Sequence, residues 1–188
     1  MKYLYGPVPS RRLGKSLGID PFVRKICSHD CVYCQLGSAP PVSSEYCANG
    51  APLEEIEDEL KQFFQSGGNA DYITFSGSGE PTLWKHIGEL IQFIRKFFSH
   101  RKIAVITNAT TLWREDVRTA ITDVDLLVPT ISAADEDTYL RLHRPHPQAS
   151  FKLHIAGVKK IAEHFRGEIW AEIMLVEGVN DSVKHILE

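Results

Sequence analysis

The sequence lacks the features that mark membrane, secreted and strongly charged proteins. It contains no apolar run approaching the roughly 20 residues of a membrane span, and its first residues, MKYLYGPVPSRR, hold no apolar block of the signal-peptide kind. Its 21 basic residues nearly balance its 24 acidic ones, giving a net charge of -3. We therefore expect a cytoplasmic protein without a membrane partner. Nucleic-acid binding stays an open question, since it would need a local basic patch.

Cysteine is scarce as well. The chain has four cysteines, and three of them, Cys27, Cys31 and Cys34, fall in one short stretch. A disulfide framework in a secreted domain uses an even and spread-out set of cysteines, which this sequence does not offer. The clustered cysteines therefore indicate a metal centre.

What is present is ordinary globular composition in a pattern of alternating strands and helices. The chain has 188 residues, of which 43% are hydrophobic and 24% charged, so we expect a single domain over residues 1–188 with an N-terminal extension at 1–16. Short apolar runs begin near residues 18, 72, 102, 125 and 169, and helical periodicity follows each of them. This alternation predicts a parallel sheet of about five βα units, the last of which looks truncated, since the pattern stops within a helix at 182–188.

Polar and glycine-rich residues follow the predicted strands, where the chemistry of parallel α/β folds gathers. They are the cysteine loop at 27–34, residues 76–80, Thr107 and Asn108, Ser132, and residues 177–181.

The cysteine loop has the spacing C-x3-C-x2-C. Three thiolates on one short loop can hold three corners of a [4Fe–4S] cluster and leave the fourth iron open, as a catalytic site requires. The alternative is a zinc site made by the three cysteines with Cys47 or His29. Cys47 itself is most simply an unpaired thiol.

The loop, with Tyr33 as the aromatic residue before its last cysteine, resembles the signature of the radical S-adenosylmethionine (radical SAM) superfamily. Further stretches match that family in the same order, with Ser78 in place of the usual first glycine of a Gly-Gly-Glu motif; they are Ser76–Thr82, Thr107–Asn108, Ser132 and Gly178–Asp181. The N-terminal YGPVPSRRLG and the SGSGEPT stretch resemble predicted Fe–S oxidoreductases related to the wyosine tRNA-modifying enzymes. Those tRNA enzymes carry further cysteines that this chain lacks, so a second cluster is not expected.

The resemblance implies a partial (βα)6 barrel that binds one [4Fe–4S] cluster through Cys27, Cys31 and Cys34. It also implies reductive cleavage of S-adenosylmethionine to a 5′-deoxyadenosyl radical, which abstracts hydrogen from an unidentified substrate, either a protein or peptide or a modified nucleobase. A flavodoxin or ferredoxin would supply the electron. The alternatives are a non-enzymatic electron-transfer protein and a zinc-stabilised binding module.

The resemblance also implies cofactor-binding roles for residues after the strands. Gly77, Ser78 and Gly79 would let the backbone approach the cofactor amine, and Glu80 would either hold that amine or order the loop. Asn108 and Ser132 would bind ribose hydroxyls or a carboxylate, or would only cap helices.

Three further residues have weaker claims on the cofactor. Tyr33 would lie against the adenine or would only pack. Met174, placed inward on the last strand, would form an adenine wall or belong to the core. Arg144 would bind an anion of the cofactor or substrate. The histidines have no ligand spacing and are expected to be surface or core residues.

Overall fold

A computed structural model describes residues 1–187 and has a single six-stranded sheet with helices packed on one face. Residue 188, the last residue of the predicted helix 182–188, lies outside the described residues. The strands are β1 Leu4–Ser10, β2 Gly14–Ile19, β3 Tyr72–Phe75, β4 Lys102–Thr107, β5 Leu126–Pro129 and β6 Glu168–Ile169. The helices are α1 Leu53–Gln65, α2 Ile87–Phe97, α3 Glu115–Ala120, α4 Glu136–His143, α5 Phe151–His164 and α6 Val183–Leu187.

The strands lie side by side in chain order, with β1 antiparallel to β2 and all later neighbours parallel. Among the described residues β1 and β6 are the two edges, so the barrel is open. This architecture confirms the α/β class and the partial, open barrel that the sequence predicts. The ends of β2 to β5 consequently meet along one edge of the sheet.

The two faces of the sheet carry different cores because strand residues alternate between them. Leu17, Ile73 and Val105 face the helices and belong to the large core cluster. Ala104 and Val128 face the other way, in a small second cluster that also contains Leu13 and Leu126. Leu13 comes from the β1–β2 turn, so the N-terminal residues fold over the helix-free face of the sheet.

The N-terminal extension is therefore part of the sheet. The Tyr5 ring covers Gly18 so closely that a Cβ on Gly18 would lie 2.0 Å from the ring. The tyrosine hydroxyl also hydrogen-bonds the Ser76 hydroxyl at the end of β3. At the β1–β2 turn, Arg12 forms a 2.8 Å ion pair with Glu172, which follows β6 at the opposite edge of the sheet. Strand β1 thus forms one edge of the sheet, while Leu13 and Arg12 of the β1–β2 turn lie over its helix-free, concave face.

The last strand is shorter than the sequence predicts. The apolar run 169–176 suggests a full strand, but only Glu168–Ile169 pairs regularly with β5, followed by an isolated bridge between Thr130 and Glu172. Met174 thus lies beyond β6 in irregular backbone and is 42% exposed, so its predicted place on a strand is wrong, and its contact with the adenine stays a prediction. Among the described residues, no strand pairs with the outer edge of this segment, so its backbone lacks the second set of hydrogen bonds that would hold it as a regular strand.

Over residues 1–187, no helix combines the length and apolarity needed to cross a membrane.

Candidate active site

The cysteine loop follows β2 and is held against the last turn of α4. The backbone N–H groups of Asp30 and Val32 donate to the carbonyls of His143 and Leu142, each at 2.9 Å. The final carbonyls of a helix have no partner within the helix, so an external donor stabilises that end. The loop thus caps α4 and fixes its own position relative to the helix.

A second set of contacts closes the loop on itself through Asp30. Its carboxylate lies 2.8 Å from the Lys25 ammonium and accepts hydrogen bonds from Ser38 Oγ and Ala39 N. The Lys25 ammonium also donates to the carbonyl of Gly37. The Lys25 hydrogen bond holds the pKa of Asp30 well below its usual range. These bonds join the two ends of the loop, so the three cysteines sit on a closed turn.

The glycine-rich exit of β3 contacts the residue before Cys27. A Cβ on Gly79 would lie 2.0 Å from the Ile26 carbonyl oxygen, so the two backbones pass too closely for a side chain. Ile26 N donates to Ser78 O at 3.1 Å, and Glu80 N donates to Ile26 O at 2.9 Å. Ser78 also donates from its backbone N and its hydroxyl to the Asp20 carboxylate. The stretch 77–80 therefore positions the start of the cysteine loop.

Glu80 is buried and surrounded by donors. Its Oε1 accepts hydrogen bonds from the hydroxyls of Thr82 and Thr107 and from Thr82 N, and its Oε2 accepts one of 2.6 Å from Asn108 N. Burial raises the pKa of Glu80, and the bonds from Thr107 and Thr82 oppose that rise. Of the two roles offered by the sequence, these contacts account for the loop-ordering one. A contact between Glu80 and a cofactor amine stays a prediction.

Asn108 connects the end of β4 to the cysteine loop. Its Nδ2 donates to Cys27 Sγ at 3.3 Å and to Ser28 Oγ at 3.1 Å. Its Oδ1 accepts hydrogen bonds from the backbone N and the hydroxyl of Thr110. The amide orientation is therefore fixed, with its N–H groups directed at the loop.

The three loop cysteines are partly buried free thiols, whereas Cys47 is exposed. Burial, followed by the nearby charge of Glu80, raises the pKa of Cys27 to about 12, and burial raises that of Cys31 to about 11. Thiolates are the metal-binding form of cysteine, so these thiols need a metal to stabilise their charge.

The sulfurs of Cys27, Cys31 and Cys34 do not all lie within 4.8 Å of one another, as ligands of a single ion would. A tetrahedral zinc ion holds thiolates at about 2.3 Å, which brings its sulfurs within roughly 4 Å of one another. Within the described part of the chain, the triad whose ligand atoms all lie within 4.8 Å is instead His29, Cys31 and His143. Their two imidazole rings stack nearly parallel, at 21° and 4.7 Å, so their in-plane lone pairs do not converge on one ion.

Three buried histidines form a group that sequence reasoning missed. His29 Nε2 lies 2.8 Å from the Tyr139 hydroxyl, and His154 packs against the same tyrosine at 5.3 Å between ring centroids. His143 Nδ1 lies 3.3 Å from Cys31 Sγ. The sequence offers His29 only as a possible zinc ligand in the cysteine loop, and His143 and His154 lie more than one hundred residues further on, so no local pattern relates the three.

The remaining predicted residues lie around this centre. Tyr33 places its hydroxyl 3.4 Å from His143 Nδ1. Ser132 is buried, and its Oγ accepts a 2.9 Å hydrogen bond from Met174 N. Arg144 ends α4 in a left-handed conformation with φ of 43°, and its carbonyl accepts from Asp30 N at 3.3 Å. The Arg144 side chain is exposed. The anion contact of Arg144 stays a prediction, as do the cofactor contacts of Tyr33 and Ser132.

Comparison with known proteins identifies the family of this arrangement. The model of the radical SAM superfamily matches residues 23–188. A protein named GTPase Obg from Brachyspira hyodysenteriae is 38% identical over 98% of this chain, and a UPF0026 protein from Methanocaldococcus jannaschii is 34% identical over 100% of it. The chain spans 27% and 58% of the lengths of these two relatives.

The fold comparison agrees with the family match. The structure of TYW1 with a lysine-pyruvate adduct bound is similar, with a TM-score of 0.69 and 17% identity, over 93% of this chain and 61% of that one. At that identity the similarity concerns the fold alone.

Proposed function

The chain belongs to the radical SAM superfamily, whose members use a [4Fe–4S] cluster and S-adenosylmethionine, and on that premise we propose that it is an enzyme holding one such cluster through Cys27, Cys31 and Cys34. The observation that carries the proposal is the bond from Asn108 Nδ2 to Cys27 Sγ at 3.3 Å. It joins the cysteine loop to the end of β4, where cofactor chemistry gathers in folds of this kind.

The donor set fits the cluster. The loop offers three thiols and no fourth, and Cys47 is exposed and separate from the loop. A cluster held in this way keeps one iron without a protein ligand, as binding of a second cofactor requires. The loop sulfurs are also less tightly grouped than a single zinc ion would require.

When held by Cys27, Cys31 and Cys34, the cluster together with S-adenosylmethionine would supply one-electron radical chemistry for hydrogen abstraction from the substrate. The residues around the cysteine loop fix its position relative to the ends of β3 and β4. Glu80 and Asn108 fix the strand ends against the loop, and Gly79 keeps the backbone of 77–80 in contact with Ile26. The buried group around His143 and Tyr139 closes the other side of the loop against water.

The substrate class extends the proposal. We propose a protein, a peptide or a modified nucleobase as the substrate, approaching the open face of the barrel that carries Tyr5, Ser76 and the Arg12–Glu172 ion pair. We propose a flavodoxin or ferredoxin as the reductant, since the cluster needs a low-potential one-electron donor.

Anaerobic reconstitution of the full chain with iron and sulfide tests the proposal, together with a chromatographic assay of 5′-deoxyadenosine after reduction by dithionite with S-adenosylmethionine present. We expect iron binding and deoxyadenosine formation in the native chain and in Cys47→Ala, and neither in Cys34→Ala. A cluster without deoxyadenosine would indicate an electron carrier. A colourless zinc-binding protein would contradict the cluster assignment.

A further inference from the structure

His143 makes a contact with the cluster loop that the family motifs do not include. Its imidazole is 1% exposed, and its Nδ1 lies 3.3 Å from Cys31 Sγ. The residue ends α4, more than one hundred positions after the cysteine, so only the fold brings the two together.

The position of the ring is fixed from several sides. The backbone bonds from Asp30 and Val32 to the last carbonyls of α4 hold the helix end on the loop. The ring stacks on His29 at 4.7 Å between centroids and packs against Tyr139 at 5.2 Å. A ring packed in this way cannot turn away from Cys31 without opening the core.

The direction of the hydrogen bond follows from the chemistry of the sulfur. An iron-bound cysteine is a thiolate and carries no proton, so Cys31 Sγ can only accept. The contact is then a hydrogen bond only in the tautomer that carries its proton on His143 Nδ1, and in that tautomer the buried Nε2, which has no hydrogen-bond partner, carries no proton. Hydrogen bonds to the ligand sulfurs are one of the factors that set the reduction potential of an iron–sulfur cluster, because they stabilise the more negative, reduced state.

We propose that His143 is a positioning residue which donates its Nδ1–H to Cys31 Sγ and thereby makes the cluster easier to reduce. The inference rests on the proposed function, since it requires that Cys31 be a cluster ligand. His143 is not itself expected to bind iron, because the Nδ1 atom that faces Cys31 carries the donated proton and therefore has no lone pair for a metal.

Three variants of the reconstituted full chain test this role. His143→Leu removes the donor, whereas His143→Asn keeps an N–H group one bond beyond Cγ, near the position of Nδ1. His154→Leu is the matched control, because His154 is equally buried in the same group and contacts Tyr139 rather than a cysteine. The measurement is the midpoint potential of the cluster, followed by low-temperature EPR during a redox titration, with iron content determined for every sample.

We expect all variants to hold the iron content of the native chain. His143→Leu should shift the reduction equilibrium toward the oxidised state by about tenfold, which corresponds to about 59 mV for a one-electron couple. His143→Asn should recover most of that shift, and His154→Leu should match the native potential.

An unchanged potential in His143→Leu at full iron content would overturn the inference while leaving the proposed function intact. Loss of iron in both His143 variants, with His154→Leu unaffected, would also overturn it, since His143 would then be needed to hold the cluster. Failure of the native chain to take up iron would instead contradict the proposed function itself.

Discussion

The Oε2 atom of Glu80 accepts a 2.6 Å hydrogen bond from the backbone N–H of Asn108. The side-chain amide of the same asparagine donates to Cys27 Sγ at 3.3 Å. One buried carboxylate therefore controls the backbone of the residue that contacts the first cysteine. The exits of β3 and β4 and the cysteine loop form one connected unit.

The Glu80 carboxylate gives the first prediction. Glu80→Gln replaces one acceptor oxygen by an NH2 group that faces backbone or hydroxyl donors, so a buried hydrogen bond is lost. We expect the free energy of unfolding to fall by about 1–3 kcal/mol, measured by urea denaturation. Glu163→Gln, at an exposed position on α5, is the control and should leave the urea midpoint unchanged. Equal midpoints for the two variants would show that Glu80 does not order the loop.

Asn108 gives a prediction about cofactor affinity. Asn108→Ala removes the donor to Cys27 Sγ and the predicted contact with S-adenosylmethionine, but none of the three cysteines. We expect the cluster to assemble with full iron while calorimetry shows weaker cofactor binding, by about fivefold to tenfold for one lost hydrogen bond. Asn49→Ala, at an exposed position, is the matched control. Native affinity in the Asn108 variant would count against the cofactor pocket.

Alanine variants of Gly79 and Gly37 distinguish the effect of steric crowding from that of backbone strain. Gly79→Ala would place a methyl group 2.0 Å from the Ile26 carbonyl oxygen, so the cysteine loop must move. Gly37→Ala, in the same region, meets no atom within 4 Å but sits at φ of 77° and carries only the left-handed strain of about 1–2 kcal/mol. We expect the Gly79 variant to bind much less iron than the Gly37 variant in reconstitution. Equal iron contents would be inconsistent with the tight contact at Ile26.

The buried histidines predict acid sensitivity. Burial lowers the pKa of His154 to about 4 from an ordinary 6.5, with His29, His143 and Tyr139 facing it. As the pH falls from about 6.5 to about 4, the unfolded chain takes up a proton that folded His154 does not, so folding stability decreases. The full difference corresponds to roughly 3 kcal/mol.

His154→Leu removes that contribution. In urea titrations of the cluster-free chain between pH 7 and pH 5, the variant should lose less unfolding free energy than the native protein. Parallel pH profiles would mean that His154 is not a source of the acid sensitivity.

Much of the fold follows from local patterns. The apolar run Tyr72–Phe75 with its glycine-rich exit predicts β3 with the observed bounds, and the periodicity from Leu53 predicts α1. The parallel arrangement, combined with strand-end polar residues, also places the cysteine loop near residues 76–80 and Asn108. These features are readable because they depend on short-range periodicity and on a regular topology.

Other features depend on tertiary packing and leave no local signal. Pro7 and Pro9 argue against a strand at Leu4–Ser10, yet β1 tolerates them because it is an edge strand. The run 169–176 looks like a complete strand, but regular pairing with β5 is limited to Glu168 and Ile169. His143 reaches Cys31 only because α4 packs on the loop, and the sequence offers no spacing that relates them.

Low-temperature EPR of the dithionite-reduced, reconstituted chain, recorded with and without S-adenosylmethionine, tests the central claim most directly. A cluster held by Cys27, Cys31 and Cys34 has an iron open to the cofactor, so the account predicts that adding S-adenosylmethionine shifts the signal. A cluster signal that is identical with and without the cofactor would contradict the open iron and, with it, the proposed radical chemistry.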